Sequence, residues 1–369
     1  METVIVEVKT GERAVEVGWK DGRQSTFHYF WLRDNCPQLR HKTTNHRVVE
    51  SSSIPREVRP EVAEVNGAGE LRIVWQHDGH ESRFAPAWLR QYDYANGAQR
   101  ARWQPTLWDG SLGDRLPTAS YAELIQDEAV KRSYLQGFHD HGLGILHDVP
   151  TTPGTVLEVA KHFGEVRSTS WGTVFDVKTI ENANSVAYTN LPLVTHTDEA
   201  YRDPTPTIQL QHFLVADAKG GASTLVDGFK IAADLRTHAP EKFKLLSSVP
   251  LHFHFRDATA ELENEGPVIE LDVLGEVTSI RYSNHSVQPF LLPAEQMDAY
   301  YDAYLTFAAM RESDEYQLRI HMQAGELYMV DNRRVLHGRT GFSSSGARHL
   351  QSCYIECDEL ISRLKVLTR

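Results

Sequence analysis

The chain has 369 residues, 41% of them hydrophobic and 24% charged, with 50 acidic against 38 basic side chains and a net charge of −12. Disorder and coiled coil do not fit that composition, and no apolar run approaches the ~18 residues of a membrane span. Nucleic acid is disfavoured as a partner, because its phosphates want a basic footprint. The acidic excess lies beyond residue 118: residues 1–118 hold 16 acidic and 16 basic groups, the remainder 34 and 22.

In chain order, the first twenty residues alternate apolar with charged side chains, unlike the unbroken apolar stretch of a signal peptide. Three cysteines, Cys36, Cys353 and Cys357, are too few for a disulfide framework, so the expectation is a reducing cytoplasm. VIVEV, AVEVGW, STFHYFWL and LRIVWQ read as short strands separated by turns such as Lys20-Asp21-Gly22. They predict a small β-domain over residues 1–95. Residues 96–118 read as a linker pinned by tryptophans. A helix is expected from Ser120, a good N-cap, through to Gly142 and Gly144. GILHDV then reads as a strand and TVLEVAKHFG as a helix. Beyond them, many short strands are interrupted by helices at FKIAADLRTHAPEKFKLLSS and PAEQMDAYYDAYLTFAAMRES. Cys353 and Cys357 are expected on one strand. The pattern suggests a mainly β jelly roll with helices over residues 119–369.

The sharpest chemical signal is Thr195-His196-Thr197-Asp198. On an extended segment, His196 and Asp198 share a face. His337, just after the strand-like ELYMVDN, supplies a third ligand. Two histidines and one carboxylate leave positions open for a cosubstrate and O2, which suits Fe(II). Arg348 lies on a later strand that a jelly-roll hairpin would return beside the metal, and a guanidinium grips a carboxylate bidentately. Ser223, after Gly220-Gly221, could donate to the same carboxylate.

This order resembles the Fe(II)/2-oxoglutarate dioxygenases of the taurine dioxygenase type. The closer resemblance is to the γ-butyrobetaine and trimethyllysine hydroxylases. It is carried by Asn184 to Asn190, His196 to Asp198, Tyr201 to Pro206, Gly220-Gly221 to Phe229, and Leu336 to Arg339. Trp31 to Cys36 and Asp78-Gly79-His80 extend it to the N-terminal domain.

The resemblance implies a double-stranded β-helix with iron on His196, Asp198 and His337, and 2-oxoglutarate on Arg348 and Ser223. O2 would convert the cosubstrate to succinate and CO2, with ascorbate as a helper, and hydroxylate a substrate C–H bond. It also implies a homodimer. Trp171, Phe175, Tyr188 and Tyr354 match the aromatic cage for a trimethylammonium group, which cannot donate hydrogen bonds. Asn284 matches one of two carboxylate-binding asparagines, whereas Ser185 stands at the other. The shorter serine opens two substrates: γ-butyrobetaine, or 2-(trimethylamino)ethylphosphonate with help from His285, Arg281 or Tyr201. Trimethyllysine is a third, with Glu199 facing its α-amino group. A catalytically dead binding module is disfavoured by the intact ligand set. The family's N-terminal zinc site survives in part, as Cys36, His41 and His80, with Gln38 at a lost cysteine position and His46 or water as a fourth ligand.

Overall fold

The computed structural model describes residues 3–97, 102–178, 189–343 and 345–369. The chain divides into two units, Met1–Trp103 and Gln104–Arg369. In the first, period-two alternation places Val15, Val17 and Trp19 inward from the strand Ala14–Trp19. That strand lies between Ile5–Thr10 and Gln24–His28 in an antiparallel sheet. A second antiparallel sheet joins Pro60–Val65, Leu71–Trp75 and Glu81–Phe84. The buried indoles donate to serines: Trp19 Nε1 to Ser25 Oγ at 2.6 Å, and Trp75 Nε1 to Ser82 Oγ at 2.8 Å. Each donor is thereby satisfied without water.

The second unit has two facing sheets. The larger runs Phe175–Lys178, Arg348–Ile355, Ile208–Ala216, Leu327–Asp331, Leu143–His147 and Thr118–Ser120. The smaller runs Leu193–His196, Val335–Arg339, Ser223–Asp227 and Gln317–Ile320. Pairing is antiparallel except between Thr118–Ser120 and Leu143–His147. Phe213, Tyr328 and Leu350 of the larger sheet pack with Leu225, Leu318 and Val335 of the smaller. The outer face of the smaller sheet, through Val226 and Leu336, is covered by helices that include Gly228–His238 and Ala294–Glu312. On Ile208–Ala216, Ile208 and Leu210 enter an apolar layer beneath helices, while Gln209 and Gln211 face a cavity on the other side. Period two thus decides which residues reach the site.

Residues 104–118 belong to the second unit. Arg334 and Asp227 form a fully buried pair there, with Nε and Nη2 2.9 and 2.7 Å from the carboxylate oxygens. Arg334 also donates to the carbonyls of Asp140 (2.8 Å) and Thr106 (2.6 Å), and Asp227 accepts from the Trp108 amide (3.1 Å). This network satisfies both charges and holds the strand end that leads into His337.

Three expectations for local structure are corrected. Ser120 ends a short strand and makes no cap bond; Tyr121–Gln126 follows as a separate helix. Asp127 breaks it and caps the helix Glu128–His141, accepting from Ala129 N at 2.7 Å. The FKIAADLRTHAPEKFKLLSS helix is two helices, Gly228–His238 and Pro240–Ser248, because Pro240 suits only a first turn. Cys357 is not on the strand with Cys353. It opens a terminal helix, Cys357–Leu367, whose Cys357, Leu360 and Leu364 are buried. Among the described residues no helix is long and apolar enough to cross a membrane.

His212 shares the face of Ile208 and Leu210 and is fully buried. Burial pushes its imidazole down to about 4, against the Val149 carbonyl, which pulls the other way. The unfolded chain binds this proton more readily, so the contribution of His212 to stability falls as pH drops from about 6.5 towards 4. His212→Leu should therefore gain on the wild type by roughly 2–3 kcal/mol between pH 7 and pH 4.5. Urea unfolding at both pH values checks this; a gap independent of pH would contradict it.

Candidate active site: two histidines and a carboxylate

His196 and His337 are direct partners across the antiparallel pair Leu193–His196 and Val335–Arg339. Such partners project side by side from one face of a sheet. The close approach depends on Gly338: a Cβ there would lie 2.4 Å from the Leu193 carbonyl. After His196 the chain turns, and Thr197 N bonds the Tyr282 carbonyl at 2.8 Å. Asn332, almost fully buried, then clamps Asp198 from both sides. Its Oδ1 accepts from Asp198 N at 2.7 Å, and its Nδ2 donates to the carbonyls of Asp198 (3.1 Å) and Pro206 (2.9 Å).

His196 Nε2 ends 3.2 Å from Asp198 Oδ1, and His337 Nε2 ends 3.5 Å from Asp198 Oδ2. The three ligand atoms lie within 4.8 Å of one another. Among the described residues this is the one such cluster of three. His196 Nδ1 faces the Val194 carbonyl at 3.0 Å and must donate to it, which turns the Nε2 lone pair towards Asp198. Burial pushes His337 down to about 4, so its ring is neutral at pH 7. Burial opposes charge on Asp198, but His337, His196 and the Tyr354 hydroxyl hold its carboxyl below the usual range. Two imidazoles and one carboxylate are a donor set that fits Fe(II) with open positions.

Two donors converge on Asp198 Oδ2: Gln209 Nε2 at 2.5 Å and the Tyr354 hydroxyl at 2.7 Å. Gln209 was not singled out by the sequence, because nothing in a lone glutamine on a strand marks it.

Arg348 opens the strand Arg348–Ile355, its guanidinium near the rings of Phe213 (5.2 Å) and Phe342 (5.5 Å). Gly221 makes room, since a Cβ there would sit 3.2 Å from Arg348 Nε. Among the described residues no ion pair joins Arg348 to a carboxylate. Ser223 is buried, and its hydroxyl bonds the Tyr328 phenol. Tyr328, rather than Ser223, lines the cavity beside Arg348 and Arg339. Burial and the neighbouring Arg348 push Arg339 down to about 10. Tyr328 was missed; only its inward parity on ELYMVDN could have pointed to it.

A cavity of about 630 Å³ opens onto these groups. Trp171, Phe175, Tyr201 and Tyr354 line it, as does Phe255, which the sequence reading did not select. Phe175 packs on Tyr354 with ring centres 5.5 Å apart. Phe255 lies between Trp171 (5.6 Å) and Tyr201 (4.9 Å). It comes from the hairpin Leu251–Arg256/Glu261–Gly266, which is tied to the site by His254 N to the Ser286 carbonyl (2.8 Å) and Asn264 Nδ2 to the Arg202 carbonyl (2.5 Å). Glu199 also lines the cavity and is raised to about 7 by burial, against the pull of Arg202 at 2.5 Å.

Tyr188 and Ser185 lie outside the described residues. Asn284 is not brought to the cavity. It is exposed and accepts from the Tyr304 hydroxyl at 3.2 Å, because the turn there presents Ser283, His285 and Ser286 inward instead.

The N-terminal ligands assemble only in part. Cys36 Sγ is 3.3 Å from His80 Nε2 and 3.2 Å from Gln38 Oε1. The Gln38 amide is engaged with the Arg83 backbone (3.1 and 2.8 Å). His41 does not join them; it sits on an exposed turn with Nδ1 facing Thr44 N at 3.3 Å.

The class that these donors define is the Fe(II)- and 2-oxoglutarate-dependent dioxygenases. The chain belongs to the taurine catabolism dioxygenase TauD, TfdA family, whose model matches residues 106–354. A second model, gamma-butyrobetaine hydroxylase-like, N-terminal, matches residues 6–92. The chain is 39% identical to the gamma-butyrobetaine dioxygenase of Pseudomonas sp. (strain AK-1), over 96% of this chain and 94% of that one. It is 28% identical to the trimethyllysine dioxygenase of Meyerozyma guilliermondii, over 100% of this chain and 96% of that one. It is also 28% identical to the gamma-butyrobetaine dioxygenase of Homo sapiens, over 98% and 96%.

Proposed function

We propose that this chain hydroxylates a trimethylammonium substrate, γ-butyrobetaine to carnitine, with the facing sheets read as a double-stranded β-helix. The observation that carries the reading is the aromatic cavity that opens onto His196, Asp198 and His337. An aromatic wall attracts a cation that has no hydrogen to donate. Trp171, Phe175 and Tyr354 would hold that head and so orient the chain of the substrate across the metal site.

His196 and His337 would ligate through Nε2 and Asp198 through one carboxylate oxygen. Bound Fe(II) supplies the activation of O2, coupled to oxidation of 2-oxoglutarate, and ascorbate would keep it reduced. Arg348 would grip the distal carboxylate of 2-oxoglutarate, with the Tyr328 phenol as a second donor and Arg339 adding positive potential. Phe213 and Phe342 pack near the guanidinium and lower the local dielectric, which strengthens its grip.

A second reading is favoured by the polar part of the lining, where His285, Ser286 and Arg256 reach the cavity and Asn284 does not. A doubly charged phosphonate, as in 2-(trimethylamino)ethylphosphonate, would use that set. Succinate formation with Fe(II), 2-oxoglutarate and each amine in parallel decides. Turnover with γ-butyrobetaine is the expected result; turnover with the phosphonate alone would move the assignment to the second substrate, and none with either would overturn the proposal.

A further inference from the structure

We propose that Gln209 and Tyr354 are positioning residues that leave Asp198 one oxygen free for the metal, and that Tyr354 thereby joins the metal site to the cation pocket. The inference rests on the reading of His196, Asp198 and His337 as the iron site.

Gln209 and Tyr354 are direct partners across the strands Ile208–Ala216 and Arg348–Ile355, so their side chains leave one face together. Both point a donor at the same atom, Asp198 Oδ2, at 2.5 and 2.7 Å. The Gln209 amide is itself oriented, since its Oε1 accepts from Gln211 Nε2 at 2.8 Å. A carboxylate oxygen that accepts two hydrogen bonds is a poorer ligand than its partner, which retains its lone pairs. Oδ1 is that partner, and it faces His196 Nε2 at 3.2 Å.

The Tyr354 ring meanwhile packs on Phe175 and lines the cavity. One side chain therefore offers its face to the substrate cation and its hydroxyl to the metal carboxylate. A cation seated on the ring shifts the hydroxyl, and the carboxylate responds.

The test separates ring from hydroxyl. Tyr354→Phe keeps the ring, and Gln209→Met keeps the length without the donor. Co(II) affinity is measured by equilibrium dialysis, the visible Co(II) bands report the coordination geometry, and calorimetry reports γ-butyrobetaine binding. Each variant should bind Co(II) about 10-fold more weakly and show displaced bands, while Tyr354→Phe retains γ-butyrobetaine binding to the metal-free protein because the ring remains. In the wild type, γ-butyrobetaine should shift the Co(II) bands, and Tyr354→Phe should abolish that shift. Unchanged Co(II) affinity and bands in both variants would overturn the inference and leave the iron site standing. If Gln209→Met does not fold, Tyr354→Phe decides alone. A wild type that binds no Co(II) would overturn the iron site and this inference together.

Discussion

Asp198→Ala should abolish turnover, with a loss of roughly 10³-fold or more, because several kcal/mol of metal-borne activation depend on it. Asp198 is the one anion among the three ligand residues, so its removal leaves two imidazoles facing a dication. It also strands two donors, Gln209 Nε2 and the Tyr354 hydroxyl, which now meet at its Oδ2. The variant should still fold, since the Asn332 clamp on residue 198 engages backbone atoms. Metal content after dialysis and succinate release check the result together. A variant that keeps its iron and near-normal turnover would contradict the ligand assignment.

Arg348→Ala should act on the cosubstrate and spare the amine. Truncation of one partner of a desolvated charge pair costs about 2–5 kcal/mol, roughly 30- to several-thousand-fold in affinity. The effect should fall at the high end, because Phe213 and Phe342 pack near the guanidinium and lower the local dielectric. Arg348→Lys should recover only part, since an ammonium cannot match a carboxylate bidentately. Apparent KM for 2-oxoglutarate and for γ-butyrobetaine, measured on the same preparations, gives the comparison. Equal rises in both would place Arg348 elsewhere in the mechanism.

The metal cluster was legible because its signal is local. His196 and Asp198 sit two apart, and His337 comes soon after the strand-like ELYMVDN. The supporting residues were not legible, because they act through register. Gln209 meets Tyr354 only once Ile208–Ala216 lies against Arg348–Ile355 at one particular offset. Tyr328 and Phe255 reach the cavity in the same way, from segments remote in sequence. Asn284 shows the opposite failure: its motif position matches a carboxylate-binding asparagine, yet the local backbone presents Ser283, His285 and Ser286 to the cavity instead. At the level of elements, Asp127 falls inside the single helix expected from Ser120 to Gly142, where the structure has a break. Its carboxylate caps the following helix more effectively than it tolerates the preceding one.

The coupling of two products tests the central claim most directly. Purified protein with Fe(II), ascorbate and 2-oxoglutarate should release succinate and carnitine in equal amounts when γ-butyrobetaine is supplied, and very little succinate without it. Carnitine should be absent when Fe(II) is withheld. Carnitine formed without succinate, or neither product under these conditions, would contradict the account.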